Sequence, residues 1–98
     1  MYNNEKMVGR YYEQFPIDTK NGQSNFTLIL LKHVLEFIGR DDSQSPYFIY
    51  FAPDSTHGPA YASSKFLGKS VRGTAYGDAV MELDWAVGQI LKHVRARQ

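Results

Sequence analysis

The sequence predicts an α/β fold in which one buried parallel strand is flanked by two helices. An unbroken apolar run, Tyr47–Ala52, is rich in aromatic and β-branched residues and lacks polar alternation, which is typical of a strand covered on both faces. Stretches before and after this run carry apolar residues at spacings of three and four, which predicts helices. Helix, strand and helix in this order indicate an α/β domain.

The amino-terminal part predicts little regular structure. From Met7 to Ile17 apolar and charged residues are mixed, and Pro16 would interrupt a central ladder, so we expect an edge strand or an ordered loop. The cluster Asp18–Gly22 predicts a turn, because Asn21-Gly22 can adopt the positive φ angles of tight turns.

The first helix is predicted to begin at Ser24 or Asn25, since either side chain can cap it, and to run to Ile38. Gly39 is expected to end it. Its expected apolar stripe consists of Ile29, Leu30, Val34, Leu35, Phe37 and Ile38.

The second helix is predicted to run from Tyr76 to Val94. Before it, Ala60 to Thr74 is rich in Ser, Gly and Lys without a clear period, which favours a surface loop over the strand ends. The expected apolar stripe of this helix consists of Tyr76, Val80, Leu83, Val87, Ile90, Leu91 and Val94.

His57 is the candidate functional residue. It follows the predicted strand directly, and ligands of open α/β sheets bind beyond the carboxyl ends of the strands. A lone loop histidine is more often a solvated or capping side chain, so its position after the strand is what favours a site. His33 lies within the first helix and His93 near the end of the second, and both are better explained structurally.

Composition excludes several classes of function. Eleven basic and ten acidic residues give a net charge of +1, so charge alone recruits neither nucleic acid nor an anionic membrane surface. The sequence contains no cysteine, which excludes a disulfide, a thiolate zinc site or a thiol nucleophile within these residues. The start lacks the apolar core of a signal peptide, and no stretch reaches the roughly 20 apolar residues of a membrane span.

Two motifs carry a family resemblance. Pro46–Ala52 followed by Thr56-His57-Gly58-Pro59 resembles the Pro-Phe-Phe-Leu-Tyr run and the subsequent His-x-Pro of sulfatases. Tyr76–Asp84 with Val87–Leu91 is similar to the sulfatase helix that carries Tyr, Glu, Asp and Val-Gly at these spacings. The resemblance extends over essentially the whole chain, and the sequence is identified as a member of the sulfatase family.

The resemblance implies an alkaline-phosphatase-like α/β domain. Its members hydrolyse sulfuric esters through a formylglycine made from a cysteine, beside a calcium ion. The sequence has no Cys-x-Pro-Ser-Arg run and no Asp-Asn-Gly metal motif, so the nucleophile and the metal ligands cannot be assigned here. We therefore expect residues 1–98 to be an internal fragment of a sulfatase catalytic domain, inactive by itself.

Three residues are implied as site residues by resemblance. His57 is expected against the sulfate and the leaving oxygen, where a histidine can donate a hydrogen bond or a proton to the developing negative charge. Tyr2 matches a tyrosine near the substrate pocket, although packing is the more common role of such a residue. Asn25-Phe26-Thr27 is a glycosylation sequon at a position where the family has one.

Further expectations concern substrate, partners and location. The implied substrates are sulfated sugars such as N-acetylgalactosamine 6-sulfate or galactose 6-sulfate of glycosaminoglycans. Resemblance implies a lysosomal or secretory-pathway protein and a homodimer of the full-length protein. Lys65, Lys69 and Arg72 could face an anionic sugar but are better explained as solvated charges, and Trp85 as a packing residue.

Other functions stay open at this point. A phosphatase or phosphodiesterase of the same superfamily would need a threonine or serine nucleophile and zinc ligands that are not visible here. An arylsulfatase A-type sulfatase is the alternative within the family. The non-enzymatic alternative is a truncated product without independent activity.

Overall fold

The computed structural model describes residues 2–7, 17–18, 23–40, 45–58 and 60–97. Its regular elements, in chain order, are β1 (Tyr2–Asn3), β2 (Lys6–Met7), β3 (Ile17–Asp18), β4 (Gln23–Ser24), α1 (Phe26–Ile38) and α2 (Ala75–Ala96). The two helices contact each other, and the segment between them contributes to the same core. Among the described residues, the buried apolar side chains are Leu31, Ile38, Ala62, Phe66, Ala79 and Ala86.

The short strands form two antiparallel pairs. Tyr2 is opposite Met7 across a tight turn in which Asn4 has a φ of 57°, a conformation that asparagine tolerates better than most residues. Strand β3 pairs with β4 on either side of residues 19–22. Most of the stretch predicted as an edge strand or loop, residues 8–16, and most of the predicted turn, residues 19–22, lie outside the described residues.

The bounds predicted for α1 are confirmed. Asn25 occupies the N-cap position, the Ser24 hydroxyl accepts a hydrogen bond from the backbone N–H of Phe26 (3.2 Å), and Gly39 follows the last helical residue. The predicted stripe is only partly right. Ile38 is buried as expected, together with Thr27 and Leu31, but Phe37 is 43% exposed.

The bounds of α2 are close to those predicted, but the buried face is different. The Thr74 hydroxyl accepts a hydrogen bond from the N–H of Gly77 (3.0 Å) and caps the helix. The residues buried on α2 are Asp78, Ala79, Glu82 and Ala86, whereas the exposed part of the predicted stripe consists of Tyr76, Val80, Val87 and Leu91. The small side chains of Ala79 and Ala86 permit close packing on their face, so this face, and not the larger apolar one, meets the core within the chain.

The buried strand predicted at Tyr47–Ala52 is not formed in this structure. Residues 46–54 are neither helical nor paired in a ladder with any described residue. Phe48 is 87% exposed and Tyr50 is 83% exposed, so burial on both faces is wrong for this chain. A central strand is ordered by neighbouring strands and covering helices, and none of the described residues supplies them here.

The loop predicted over residues 60–74 is largely irregular but is more than a surface loop. Ala62 is fully buried and forms an isolated parallel bridge with Gln23, its carbonyl oxygen accepting a hydrogen bond from the N–H of Ser24 (2.9 Å). Ser63 and Phe66 are also buried. The segment therefore joins the start of α1 to α2.

Candidate catalytic histidine

His57 lies in a turn directly after the apolar run, and its side chain is exposed. Its backbone N–H donates to the carbonyl oxygen of Asp54 (2.9 Å), which closes the turn. The imidazole is thus accessible to solvent, and its catalytic role stays a prediction.

The geometry assigns the proton on the ring. Nδ1 of His57 lies 2.8 Å from the carbonyl oxygen of Gly58, and a carbonyl oxygen can only accept a hydrogen bond. Nδ1 therefore carries a hydrogen atom and donates. Nε2 makes no hydrogen bond within the described part of the chain and is left to meet a ligand, as an acceptor when the ring is neutral and as a donor when it is protonated.

The other implied site residues are not joined to His57 by any contact in the described residues. The backbone of Tyr2 is in β1, but its side chain lies outside what the structure describes, so its role in a substrate pocket stays a prediction. Asn25 is half-buried at the N-cap of α1, where its side chain makes no capping hydrogen bond and its carbonyl oxygen accepts from the N–H of Ile29. Its glycosylation likewise stays a prediction.

The cationic side chains after His57 differ in their surroundings. Nζ of Lys65 lies 3.9 Å from the centre of the Trp85 ring, a cation–π contact, and Trp85 packs at 5.4 Å against Phe66. Lys69 and Arg72 are exposed. The packing role expected for Trp85 agrees with this arrangement.

Histidines 33 and 93 stay outside the candidate site. His33 is exposed on α1, and Nδ1 of His93 lies 2.8 Å from the carbonyl oxygen of Gln89, one turn earlier in α2. The contact of His93 agrees with its structural explanation, while the structural explanation of His33 stays a prediction.

The segment that follows His57 is anchored by Glu82. The side chain of Glu82 is fully buried, and its Oε2 accepts a hydrogen bond from the backbone N–H of Ser63 (3.1 Å) and a second from the Ser63 hydroxyl. Its other oxygen, Oε1, is buried without a hydrogen-bond partner in the described residues. One carboxylate oxygen thus makes both contacts to Ser63.

A second buried carboxylate, Asp78, lies one turn earlier on the same face of α2. Oδ2 accepts from the N–H of Gly68 (2.7 Å) and Oδ1 from the N–H of Ser70 (3.0 Å). Burial raises the pKa of the Asp78 carboxyl, but the Ser70 hydroxyl and the two N–H groups lower it by more, so the pKa lies below its ordinary value. Gly68 has a φ of 76°, which side chains disfavour, and this conformation accompanies the approach of its N–H to the carboxylate.

Sequence reasoning missed both carboxylates. Neither Asp78 nor Glu82 belongs to the apolar stripe predicted for α2, since acidic residues on a helix are ordinarily solvated. One pattern could have revealed them: they are four residues apart and share a face with Ala79 and Ala86, so a helix packed on its alanines must bury both acids.

The described residues contain no group of three or more His, Cys, Asp or Glu side chains that could hold a metal ion. The two buried carboxylates are already bound to backbone N–H groups. The described part of the chain therefore does not fit a calcium site, and the chain has no cysteine from which formylglycine could be made. No helix in the described part is long and apolar enough to span a membrane.

Comparison with known proteins decides the family. The Sulfatase family profile matches residues 1–98. The chain belongs to the sulfatase family. The chain is 52% identical over 92 residues to human N-acetylgalactosamine-6-sulfatase and 53% identical over 92 residues to the enzyme of that name from Canis lupus familiaris, covering 94% and 93% of this chain. It is also 40% identical over 67 residues to human steryl-sulfatase, which covers 68% of this chain.

These matches confirm the family predicted from the two motifs. Membership makes the chain part of a family of sulfuric ester hydrolases. The chain spans 17% of the length of the human and canine N-acetylgalactosamine-6-sulfatases and 11% of human steryl-sulfatase.

Proposed function

We propose that residues 1–98 are an internal segment of a sulfatase catalytic domain of the alkaline-phosphatase-like α/β kind, in which His57 acts on the leaving group of a sulfate ester. The observation that carries the proposal is the exposed imidazole of His57, with Nδ1 fixed and Nε2 unoccupied in the described chain, directly after the apolar run. The 52% identity to human N-acetylgalactosamine-6-sulfatase supports it.

The chemistry follows from the ring geometry. Cleavage of a sulfate ester develops negative charge on the leaving alcohol oxygen. A protonated imidazole that donates from Nδ1 to Gly58 can donate from Nε2 to that oxygen, as a hydrogen bond or as a proton. The Gly58 carbonyl oxygen orients the ring and stabilises the imidazolium.

In the complete enzyme, formylglycine would supply the nucleophile and calcium would supply positive charge beside the sulfate. The chain has no cysteine for the formylglycine, and no group within the described residues could hold the calcium, so the 98-residue chain alone is proposed to be inactive. We call the longer sulfatase that contains residues 1–98 the complete enzyme.

The proposed substrates are 6-sulfated N-acetylgalactosamine or galactose units of glycosaminoglycans. The name of the human relative, N-acetylgalactosamine-6-sulfatase, and its coverage of 94% of this chain favour this choice. An arylsulfatase A-type specificity is the alternative within the family. A truncated product without independent activity is the alternative outside enzyme function.

Location and modification are proposed with the substrate. A glycosaminoglycan sulfatase works in the lysosome after passage through the secretory route, where Asn25 would carry a glycan. The Asn25 side chain supports this, because it makes no capping hydrogen bond that a glycan would break. A homodimer of the complete enzyme is proposed from the family alone.

Replacement of His57 tests the proposal. In the complete enzyme, His57→Ala should lower kcat about 100-fold to 10,000-fold, the usual loss on removal of a general acid or base. His33→Ala is the matched control, because that histidine is exposed on α1, and it should leave kcat unchanged. Rates of hydrolysis are measured on a 6-sulfated N-acetylgalactosamine glycoside and on an aryl sulfate.

The outcomes separate the alternatives. Wild-type turnover by His57→Ala would remove His57 from the site. A preference for the aryl sulfate would favour arylsulfatase A-type specificity. If the wild-type complete enzyme hydrolyses neither ester, the sulfatase proposal is contradicted.

A further inference from the structure

Two buried carboxylates on one face of α2 hold the backbone of the segment that follows His57. Glu82 binds Ser63, and Asp78 binds the N–H groups of Gly68 and Ser70. Both acids are almost completely removed from solvent, at 0% and 2% exposure. We define the carboxylate clamp as Asp78 and Glu82 with these three partners.

The clamp fixes a point close to His57 along the chain. Ala62, next to Ser63, is bound on its other side by the N–H of Ser24 (2.9 Å), so the Ala62-Ser63 unit is tied both to the start of α1 and to α2. Ser63 is six positions after His57, a distance that an extended chain spans in roughly 20 Å. This short separation limits how far the imidazole can lie from the anchor.

Further contacts within residues 63–70 connect the two ends of the clamp. The carbonyl oxygen of Ser63 accepts hydrogen bonds from the N–H groups of Phe66 and Leu67, and that of Phe66 accepts one from Lys69, which coils the chain between the two carboxylates. Phe66, 8% exposed, packs on Trp85 between these points. Hydrogen bonds from backbone N–H groups to buried carboxylates are among the stronger ones in proteins, so they can fix this irregular segment in one conformation.

We infer that Asp78 and Glu82 are positioning residues for His57, acting through the backbone of residues 63–70. The inference rests on the proposed function of His57 as the group that meets the leaving oxygen. Effective general acid catalysis needs the donor within hydrogen-bond reach of the leaving oxygen, and a displacement of about 1 Å can reduce turnover about 100-fold.

The contacts in the clamp predict different effects for two isosteric substitutions, Glu82→Gln and Asp78→Asn. Glu82 uses only Oε2, so Glu82→Gln can present its carbonyl oxygen to Ser63 and should preserve the anchor. Asp78 uses both oxygens, so Asp78→Asn must aim an NH2 group at one N–H group of the segment and lose that contact. Glu82→Met removes both acceptors at similar size.

The experiment measures kcat, KM and amide hydrogen exchange of residues 63–70 in the complete enzyme, at a temperature where thermal unfolding shows every variant to be folded. Asp78→Asn and Glu82→Met should lower kcat about tenfold or more with KM changed less than about threefold, and should speed exchange. Glu82→Gln should stay within about twofold of wild type in kcat. The double variant that carries both His57→Ala and Glu82→Met should have nearly the same kcat as His57→Ala alone, because the positioning residue acts only through the histidine.

Several results would overturn the inference. Faster exchange with an unchanged kcat would show that the clamp holds the segment but does not position His57. A loss of kcat in Glu82→Gln equal to that in Glu82→Met, or losses that add fully to that of His57→Ala, would do the same. If the wild-type complete enzyme hydrolyses no sulfate ester, the proposed function fails and the positioning role fails with it. Unchanged hydrogen exchange in Asp78→Asn would refute the clamp itself, whatever the activity.

Discussion

Asp78 shows at the residue scale how environment sets chemistry in this chain. Its pKa lies below the ordinary value of 3.8 because the Ser70 hydroxyl and two backbone N–H groups outweigh the effect of burial, which acts in the opposite direction. A group whose pKa is lowered by folding stabilises the folded state fully above its unfolded pKa. That contribution is lost as pH falls through the folded pKa.

A prediction follows for the pH dependence of stability. The wild-type complete enzyme should lose free energy of unfolding as pH falls below about 4, in part because Asp78 takes up a proton more readily when unfolded. Asp78→Asn cannot titrate, so its curve should lack this contribution and fall less steeply. At neutral pH the variant should be less stable by about 1–3 kcal/mol, the usual cost of a buried N–H group left without an acceptor.

Chemical denaturation at a series of pH values from 3 to 7 measures the difference. Ser64→Ala is a suitable control, because Ser64 is exposed in the same segment and binds neither carboxylate. Its curve should follow that of the wild type. Parallel curves for Asp78→Asn and wild type would contradict the account of the Asp78 pKa.

The sequence allowed His57 to be singled out but not the residues that hold its segment. His57 could be predicted because it follows an apolar run and lies in a family motif, both of which are local in sequence. Glu82 and Ser63 meet across 19 positions, and their hydrogen bonds depend on how α2 packs. A pattern that treats every acidic residue as solvated cannot foresee this contact.

The two helices illustrate a similar division at the scale of elements. Their bounds were predictable, because capping residues such as Thr74 and the glycine after Ile38 are local determinants. The buried face of α2 was not, because two faces compete and the choice belongs to tertiary packing. Ala79 and Ala86 admit the neighbouring backbone closely, and their face is the one buried within the chain.

Two glycines of α2 give a matched pair that tests this packing. A Cβ at Gly77 would lie 2.8 Å from the Ser70 hydroxyl oxygen and 3.0 Å from that of Thr74, whereas a Cβ at Gly88 would meet nothing within 4 Å. Alanine is favoured over glycine in a helix interior by about 1 kcal/mol. Gly88→Ala should therefore raise the free energy of unfolding by about 0.5–1 kcal/mol, while Gly77→Ala should lower it by about 1–3 kcal/mol through overpacking.

Denaturant midpoints of the two variants, compared with wild type in the complete enzyme, check this pair. Stabilisation by Gly77→Ala would show that Ser70 moves aside freely. The close approach of the segment to the start of α2 would then be looser than the structure indicates.

At the scale of the whole chain, apolar surfaces that the sequence predicts to be covered are exposed. Its radius of gyration is 14.8 Å, against about 12.6 Å expected for a compact domain of this length. Phe48 and Tyr50 are more than four-fifths exposed in the apolar run, and the larger apolar side chains of α2 are also exposed. In the complete enzyme proposed above, we expect segments other than residues 1–98 to cover both surfaces. The strand predicted from composition is not formed here, because none of the described residues pairs with it.

The exposed apolar run should affect the isolated chain and the complete enzyme in opposite directions. Phe48→Ser removes a large exposed side chain from the 98-residue chain and should reduce its self-association and its binding of a hydrophobic dye. In the complete enzyme, where we propose that the same side chain is buried in a central strand, the change should lower the free energy of unfolding by about 3–5 kcal/mol.

Val71→Ser is the control, because Val71 is fully exposed in the segment between the helices and is not part of the run. It should leave the stability of the complete enzyme within about 0.5 kcal/mol of wild type. Size-exclusion chromatography and dye fluorescence measure the first effect, and denaturant unfolding measures the second. If Phe48→Ser leaves the complete enzyme as stable as Val71→Ser does, the run is a surface segment in the whole protein and the central-strand proposal is wrong.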